Sequence, residues 1–287
     1  MQACLFFCYY FTKPNPSDPA RIWWCPTGPL ALFPIHAAGI YNQESQSSGS
    51  CVSDFVVSSY TPTISILLEK VKASNVEHPT SSKVLLVSHT NSPGGHPTRR
   101  PRREIDSVVR IIGADSCLHL DGSSATVSRV KQETEKCNWM HLSCDGNRDR
   151  GLVLHDGLIG LLDTMQLRTP QCKLAFLSAS ETATGNESLP DEAVHLAAGM
   201  LAAGCQGVVG TMWAISDEYV AEVAGSFYEY LAAEKKKDGD GSSPGNLQLD
   251  SSRAAYALQH AVQRLRTQTG DTEDGLLAWV PYVHFGL

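Results

Sequence analysis

Two short apolar stretches of the sequence end in residues that could do chemistry. The first, WMHLSCDG at residues 139–146, contains His141, Cys144 and Asp145. The second, KLAFLSASETATG at residues 173–185, contains Ser180 followed directly by Glu181. A hydroxyl or thiol beside a base can attack a carbonyl, provided that the base removes its proton. These residues therefore define a candidate site for hydrolysis or binding.

The elements that must position these residues alternate along the chain. Apolar runs rich in Val, Leu and Ile lack clean period-two alternation, which is typical of a parallel sheet covered on both faces. The predicted strands are Phe55–Tyr60, Lys83–His89, Trp139–Ser143, Lys173–Ser178, Gly207–Met212 and Val280–Phe285. The predicted helices are Thr63–Ala73, Arg103–Ile112, Asp191–Ala203, Glu218–Ala232 and Ser252–Thr267. The alternation predicts an α/β fold with a mostly parallel sheet between two helix layers.

The carboxyl ends of neighbouring strands in such a sheet form one edge, where ligands bind. Asp145 and Ser180 each follow a predicted strand, so we expect them at that edge. His141 precedes Asp145 by four residues and should lie about 13 Å further down its strand. A Ser180–His141–Asp145 triad would therefore be strained, and a half-buried core histidine with a satisfied ring nitrogen is preferred. The side chain of Cys144 should face away from that of residue 145 and fill the core.

Composition narrows the class of protein. The 287 residues carry a net charge of −7, which argues against nucleic acid or an anionic membrane as the main partner. Nine cysteines form no Cys-x-x-Cys pair, so no disulfide framework or zinc site is expected, and no other metal or cofactor. Cys144, Cys172 and Cys205 lie in apolar runs and are expected as separate buried hydrophobes. This cysteine usage favours a reducing, cytoplasmic location. The apolar start of the chain is too short to span a membrane.

Three polar or Gly/Ser-rich stretches are predicted as loops, at residues 42–50, 92–103 and 235–252. The arginine-rich second loop would suit an anionic partner, but a solvated loop is the preferred interpretation. The first 24 residues are left unassigned, and residues 25–287 are expected to form a single domain of ordinary size.

Several blocks in a fixed order carry a resemblance to the CHAT family, a branch of the caspase and separase superfamily of cysteine endopeptidases. The central blocks are WMHLSCDG, LVLHDGLIGLLD, KLAFLSASETATG, LPDEAVHLAAGMLAAGCQGVVGTMWAISD and FYEYL, within residues 139–231. GPLALFPIHAAG at 28–39, AAYALQHAVQRLR at 254–266 and AWVPYVHFG at 278–286 resemble the flanking parts of the family. The resemblance therefore implies a caspase-like fold over residues 25–287.

The resemblance also implies that both catalytic positions have changed. Active members have a histidine where this chain has Asp145 and a cysteine where it has Ser180. A serine hydroxyl is a poor nucleophile without a positioned base, and a carboxylate is a weak base for that purpose. We therefore expect a non-catalytic pseudo-peptidase that binds a protein or peptide, with a basic side chain in the cleft. The alternatives are an active endopeptidase or serine hydrolase using Ser180 with an unidentified base, or a decaying copy.

Other residues could line the cleft, but each has a structural interpretation. Asp156 belongs to a His-Asp-Gly sequence typical of a hairpin turn. Asp191 and Glu192 open a predicted helix, where carboxylates interact well with the helix dipole. Gly146 follows Asp145, and Trp213 ends a predicted strand, where it could wall a peptide groove or serve as a core aromatic residue.

Overall fold

The computed structural model describes residues 19–41, 51–73, 83–89, 100–144, 146–147, 151–167, 169, 171–178, 192–213, 215–237 and 249–287. Asp145, Ser180, Glu181 and Asp191 lie outside the described residues. So do the predicted loop at 42–50, residues 92–99 of the second loop and residues 238–248 of the third.

An eight-stranded sheet forms the centre of the fold, in the order β1-β2-β11-β10-β9-β5-β3-β4. All neighbouring strands are parallel except β10 and β11, which are antiparallel. A separate antiparallel sheet contains β6, β7 and β8. The strands are β1 Arg21–Trp24, β2 Val57–Tyr60, β3 Val84–His89, β4 Cys117–Asp121, β5 Trp139–Cys144, β6 Gly146–Asn147, β7 Gly151–Leu154, β8 Gly157–Ile159, β9 Leu174–Leu177, β10 Gly207–Thr211 and β11 Tyr282–Gly286.

Eight α-helices connect the strands of the described chain. They are α1 Ile64–Ala73, α2 Arg100–Ile112, α3 Val127–Thr134, α4 Leu161–Gln166, α5 Glu192–Ala203, α6 Asp217–Lys237, α7 Ala254–Thr269 and α8 Glu273–Trp279. The chain turns after α5 at Gly204, whose φ of 125° is in a region that favours glycine. The mostly parallel sheet and its surrounding helices confirm the predicted α/β class.

The two faces of the sheet are both buried, which explains the continuous apolar runs in the sequence. Leu86 and Phe176 contact one core cluster together with residues of α2, α6 and α7. Leu85 and Leu177, their neighbours along the same strands, contact a second cluster with residues of α5. Because successive side chains of a strand point to opposite faces, every residue of these strands is buried.

The prediction for α1 was partly wrong about the side that it buries. The sequence predicts one apolar stripe of Ile64, Leu67, Leu68 and Val71; the structure half-buries Leu67 and exposes the other three side chains by 64%, 54% and 46%. The inward side instead carries Lys70, which is 8% exposed and donates through Nζ to the Leu201 carbonyl at 2.7 Å. A hydrogen-bonded lysine stem can replace an apolar side chain there, so periodicity alone gave the wrong face.

Helices extend into two of the predicted loops, 92–103 and 235–252. Helix α2 begins at Arg100, so Arg100–Arg103 form its first turn. Pro101 is tolerated there because the backbone N–H groups of a first helical turn have no acceptor within the helix, so the N–H that proline lacks is not needed. Helix α6 extends through Lys237, into the third predicted loop. The edge strand β1 precedes residue 25 and pairs with β2.

Several short elements were not predicted from the sequence. These are β1, β4, the three-stranded β6–β8 sheet, α3, α4 and α8. Each is eight residues long or less, so its periodicity is too brief to recognise. The prediction for Cys172 and Cys205 was also wrong, because the structure joins them in a disulfide. They precede neighbouring strands β9 and β10, where residues separated by 33 positions come together.

Candidate functional site

The carboxyl ends of β5 and β9 lie side by side. These strands are parallel neighbours, and Leu142 pairs with Leu177 at the end of the ladder. In the sequence, Asp145 follows Leu142 by three residues and Ser180 follows Leu177 by three residues. In the sequence, positions 145 and 180 are therefore equally distant, by three residues, from the last pair of the β5–β9 ladder.

His141 lies in the core on β5, and both of its ring nitrogens have partners. Its Nε2 is 2.9 Å from Glu104 Oε1, and its Nδ1 is 3.2 Å from the Tyr228 hydroxyl. The imidazole stacks on Phe176 with 4.8 Å between ring centroids. The side chain is fully buried rather than half-buried. Because both ring nitrogens already have hydrogen-bond partners, neither is available to remove a proton from a substrate.

Cys144 points to the opposite side of the sheet from His141. It is 2% exposed, belongs to the core cluster that contains Leu85, and its Sγ lies 3.9 Å from the Val87 carbonyl. Its place in the second core agrees with the strand alternation expected from the sequence.

Gly146 and Asp156 belong to the small β6–β8 sheet. Gly146 pairs with Leu152, and Asp156 lies in the two-residue turn between β7 and β8, as the His-Asp-Gly sequence predicts. The Asp156 carboxylate accepts a hydrogen bond from the Val127 amide at 2.7 Å, at the first residue of α3. Its contact is therefore with a helix N-terminus.

Trp213 lies beside a cleft at the carboxyl end of β10, the strand next to β9. The cleft has a volume of about 890 Å³, and its walls include Tyr41, Leu276 and Val280. The Trp213 indole donates to the Leu277 carbonyl at 3.3 Å, which fixes its ring on this edge. Trp213 thus lines the cleft and also packs against both core clusters.

The acidic rim of this cleft is held by Arg266 from α7. Asp271 and Glu273 line the cleft, and Arg266 binds both oxygens of Asp271 at 2.6 Å. Arg266 also binds Asp54 Oδ1 at 2.8 Å, and its guanidinium stacks over Trp279 at 5.0 Å. The hydrogen bonds to Asp271 raise the pKa of Arg266 above its usual value, so this charge is permanent.

Three residues near the candidate site were not recognised from the sequence as part of it. Glu104 on α2 is fully buried, and its carboxylate contacts Ser143 on β5 and Ser178, the residue directly after β9. A signal was present, because Glu104 precedes Val108 by four residues and so shares the apolar face of the helix. A carboxylate at such a position is rarely buried without hydrogen-bond partners.

In the described part of the chain, the His, Cys, Asp and Glu side chains form no group of three or more that could hold a metal ion. None of the helices in the same residues combines the length and apolar character needed to cross a bilayer.

Comparisons with known proteins identify the family. The family model for the CHAT domain matches residues 10–287. No match is found among curated proteins. The Arg-specific cysteine proteinase gingipain R is similar in structure, with a TM-score of 0.62, 9% identity, and coverage of 99% of this chain and 66% of that chain. The gingipain of Porphyromonas gingivalis in its complex of pro- and mature domains gives a TM-score of 0.60, with 9% identity over 99% of this chain and 67% of that chain.

A second kind of neighbour is separase. The Saccharomyces cerevisiae separase in its complex with securin has a TM-score of 0.50 and 15% identity, over 90% of this chain and 15% of that chain. The chain thus spans just under two thirds of the gingipain R chain and a small part of the separase chain. At these identities the neighbours establish the caspase-like fold, whereas the family match covers nearly the whole sequence. The chain belongs to the CHAT domain family.

Proposed function

We propose that this CHAT domain is a non-catalytic pseudo-peptidase that binds a protein or peptide at the carboxyl edge of its sheet. The proposal is supported by the residues that this chain has at the two positions matched to the family dyad by the order of the sequence blocks. In that match Asp145 takes the place of the histidine and Ser180 the place of the cysteine. With both partners replaced, the thiolate–imidazole chemistry of the family has neither its nucleophile nor its acid and base.

The chemistry of the replacements supports loss of catalysis. Attack on a carbonyl builds negative charge on its oxygen, which donors and positive charge stabilise. A carboxylate at position 145, with Glu181 beside Ser180, would oppose that charge and is a weak base for a hydroxyl proton. The nearby imidazole of His141 is engaged by Glu104 and Tyr228. The described residues therefore offer Ser180 no candidate base on β5.

The chemistry of the cleft supports a basic ligand. Trp213 and Tyr41 supply aromatic surface, and Glu273 supplies a carboxylate on the rim. An aromatic face attracts a guanidinium or ammonium group, with about 0.5–2 kcal/mol per contact. The net charge of −7 adds a general attraction for cations. We infer that the partner is a protein segment with an Arg or Lys side chain.

A hydrolase acting through Ser180, as a serine hydrolase or an endopeptidase, is the alternative. It requires a base that the sequence does not identify. The two hypotheses differ in one observable, because binding without turnover leaves a peptide intact and a working nucleophile does not.

Peptide binding tests the proposal. Fluorescence anisotropy of a library of eight-residue peptides should give saturable binding for peptides with a central Arg or Lys, and none for matched peptides with Gln. Trp213→Ala should weaken binding about tenfold, and Glu273→Gln by roughly two- to fivefold. Leu162→Ala and Glu135→Gln, exposed changes outside the cleft lining, are the controls. Equal affinities for the Arg and Gln peptides, or cleavage of a bound peptide, would contradict the proposal.

A further inference from the structure

A single buried carboxylate connects helix α2 to the two strands that lead to the candidate site. Glu104 Oε2 accepts hydrogen bonds from Ser143 Oγ at 2.5 Å and from Ser178 Oγ at 3.0 Å. Its Oε1 lies 2.9 Å from His141 Nε2. Glu104 and His141 are fully buried, and the two serines are 1% and 2% exposed. Neighbouring strands β5 and β9 are thus joined through one side chain.

The network lies two residues before each dyad position in the sequence. Ser143 precedes position 145 by two residues, and Ser178 precedes position 180 by two residues. The carboxylate of Glu104 therefore contacts, on β5 and directly after β9, the residue two positions before each dyad position.

The hydrogen bonds also give the network a direction. Ser143 and Ser178 both donate to Glu104 Oε2, and an ionised carboxylate only accepts. Opposite such a carboxylate, a neutral His141 donates through Nε2–H, and its Nδ1 then accepts from the Tyr228 hydroxyl. Burial raises the pKa of Tyr228 well above its usual value, with a smaller contribution from Glu104, so this hydroxyl keeps its proton. The Tyr228 hydroxyl therefore donates a hydrogen bond to His141, and His141 donates one to Glu104.

We propose that Glu104 is a positioning residue, which sets the tautomer of His141 and holds the ends of β5 and β9 at the spacing that the site requires. This inference rests on the proposed location of the site at positions 145 and 180, and not on the proposed loss of catalysis. A carboxylate that only filled space would leave the proton of His141 and the chemistry at the strand ends unchanged when replaced by an amide.

The first test measures the proton position directly. Glutamine has the shape of glutamate but one acceptor oxygen, so Glu104→Gln cannot accept from both serines and His141. If the amide oxygen stays with the serines, its NH₂ group faces His141, and the imidazole must move its proton to Nδ1. NMR of histidine labelled with ¹⁵N should report the Nε2–H tautomer in the native protein and the Nδ1–H tautomer in Glu104→Gln.

Asp106→Asn, on an exposed position two residues along the same helix, is the matched control and should keep the native tautomer. An Nδ1–H tautomer in the native protein would overturn the proposal, and this measurement needs no variant. An unchanged tautomer in folded Glu104→Gln would also overturn it. Should that variant fail to fold, Tyr228→Phe replaces it: this change removes the Nδ1 donor and should leave the proton on Nε2, whereas a shift to Nδ1 would overturn the proposal.

The second test asks whether the network positions the site. Asp145→His together with Ser180→Cys restores the residue types of the family dyad, and alkylation by iodoacetamide measures the thiol at position 180 as a function of pH. This thiol should react faster at neutral pH than in Ser180→Cys alone. Adding Glu104→Gln should lower that rate at least about tenfold and move the profile to higher pH, while Asp106→Asn should not.

The outcomes separate the two claims. A reactive double variant whose pH profile is insensitive to Glu104→Gln overturns the positioning role and leaves the site in place. A double variant no more reactive than Ser180→Cys alone overturns the location of the site, and the positioning role with it. In that case the NMR result still tells whether Glu104 sets the tautomer of His141.

Discussion

Replacing Arg266 by methionine should destabilise the protein strongly. The Arg266 side chain is 14% exposed and binds Asp54 and Asp271, whose side chains are 10% and 28% exposed. Methionine preserves much of the stem, which packs near Trp279, but leaves two partly buried carboxylates without their cation. The change therefore isolates the charge from most of the packing.

The expected magnitude follows from burial. Removing one partner of a buried ion pair costs about 3–5 kcal/mol, and an exposed pair contributes about 0.2–1 kcal/mol. Because Asp54 is nearly buried and Asp271 is partly exposed, we expect a loss of about 3 kcal/mol. Arg264→Met, two residues away on the same helix, is the control. Its ion pair with Glu229 has side chains that are 49% and 59% exposed, so that variant should lose about 0.5 kcal/mol or less.

Urea unfolding followed by tryptophan fluorescence and by circular dichroism measures both losses. Coincident transitions from the two probes would justify a two-state free energy. Equal losses for the two variants would refute the idea that Arg266 holds the α7–α8 corner of the cleft. Peptide affinity should also fall in Arg266→Met, because Asp271 and its neighbours line the cleft.

Three further predictions concern stability and the cysteines. Burial lowers the pKa of His36 to about 4, below that of an unfolded histidine, so the unfolded chain binds the proton first. The free energy of unfolding should therefore decrease between about pH 6.5 and pH 4, by up to about 3 kcal/mol from this residue. Urea unfolding at several pH values should give a shallower decline in His36→Gln than in the native protein. An identical decline would contradict the contribution assigned to His36. Phe176→Ala should cost about 3–5 kcal/mol because the ring is 2% exposed and packs on His141 and Phe227, whereas a loss below 1 kcal/mol would argue against this core. In denaturant without reductant, mass spectrometry should find Cys172 and Cys205 protected from iodoacetamide and Cys137 labelled, and equal labelling would exclude the disulfide.

The sequence predicted the parts of the fold that depend on long apolar patterns. The strands around Leu86, His141 and Val208 are buried on both faces, so their composition identified them without alternation. The side that α1 buries was not predictable, because a hydrogen-bonded Lys70 takes the inward position while Ile64 faces solvent. Whether a long side chain buries its stem depends on an acceptor from another element, here the Leu201 carbonyl.

The candidate site was predictable only in its sequence positions. The resemblance of the sequence blocks to the family points to positions 145 and 180, and the strands that precede them are parallel neighbours in the structure. The role of Glu104 was not predictable, because its three partners lie on β5 and directly after β9 and meet it only after the sheet has formed. The cleft likewise depends on Arg266 joining residues that are 212 and 5 positions away.

Reaction with a serine-directed fluorophosphonate tests the loss of catalysis most directly. The native chain, Ser180→Ala and a known serine hydrolase as positive control would be incubated with the probe, and labelled peptides would be identified by mass spectrometry. We predict no labelling at residue 180 above the level of Ser180→Ala, and no cleavage of the peptide library. Stoichiometric labelling of Ser180 that disappears in Ser180→Ala would contradict the pseudo-peptidase account.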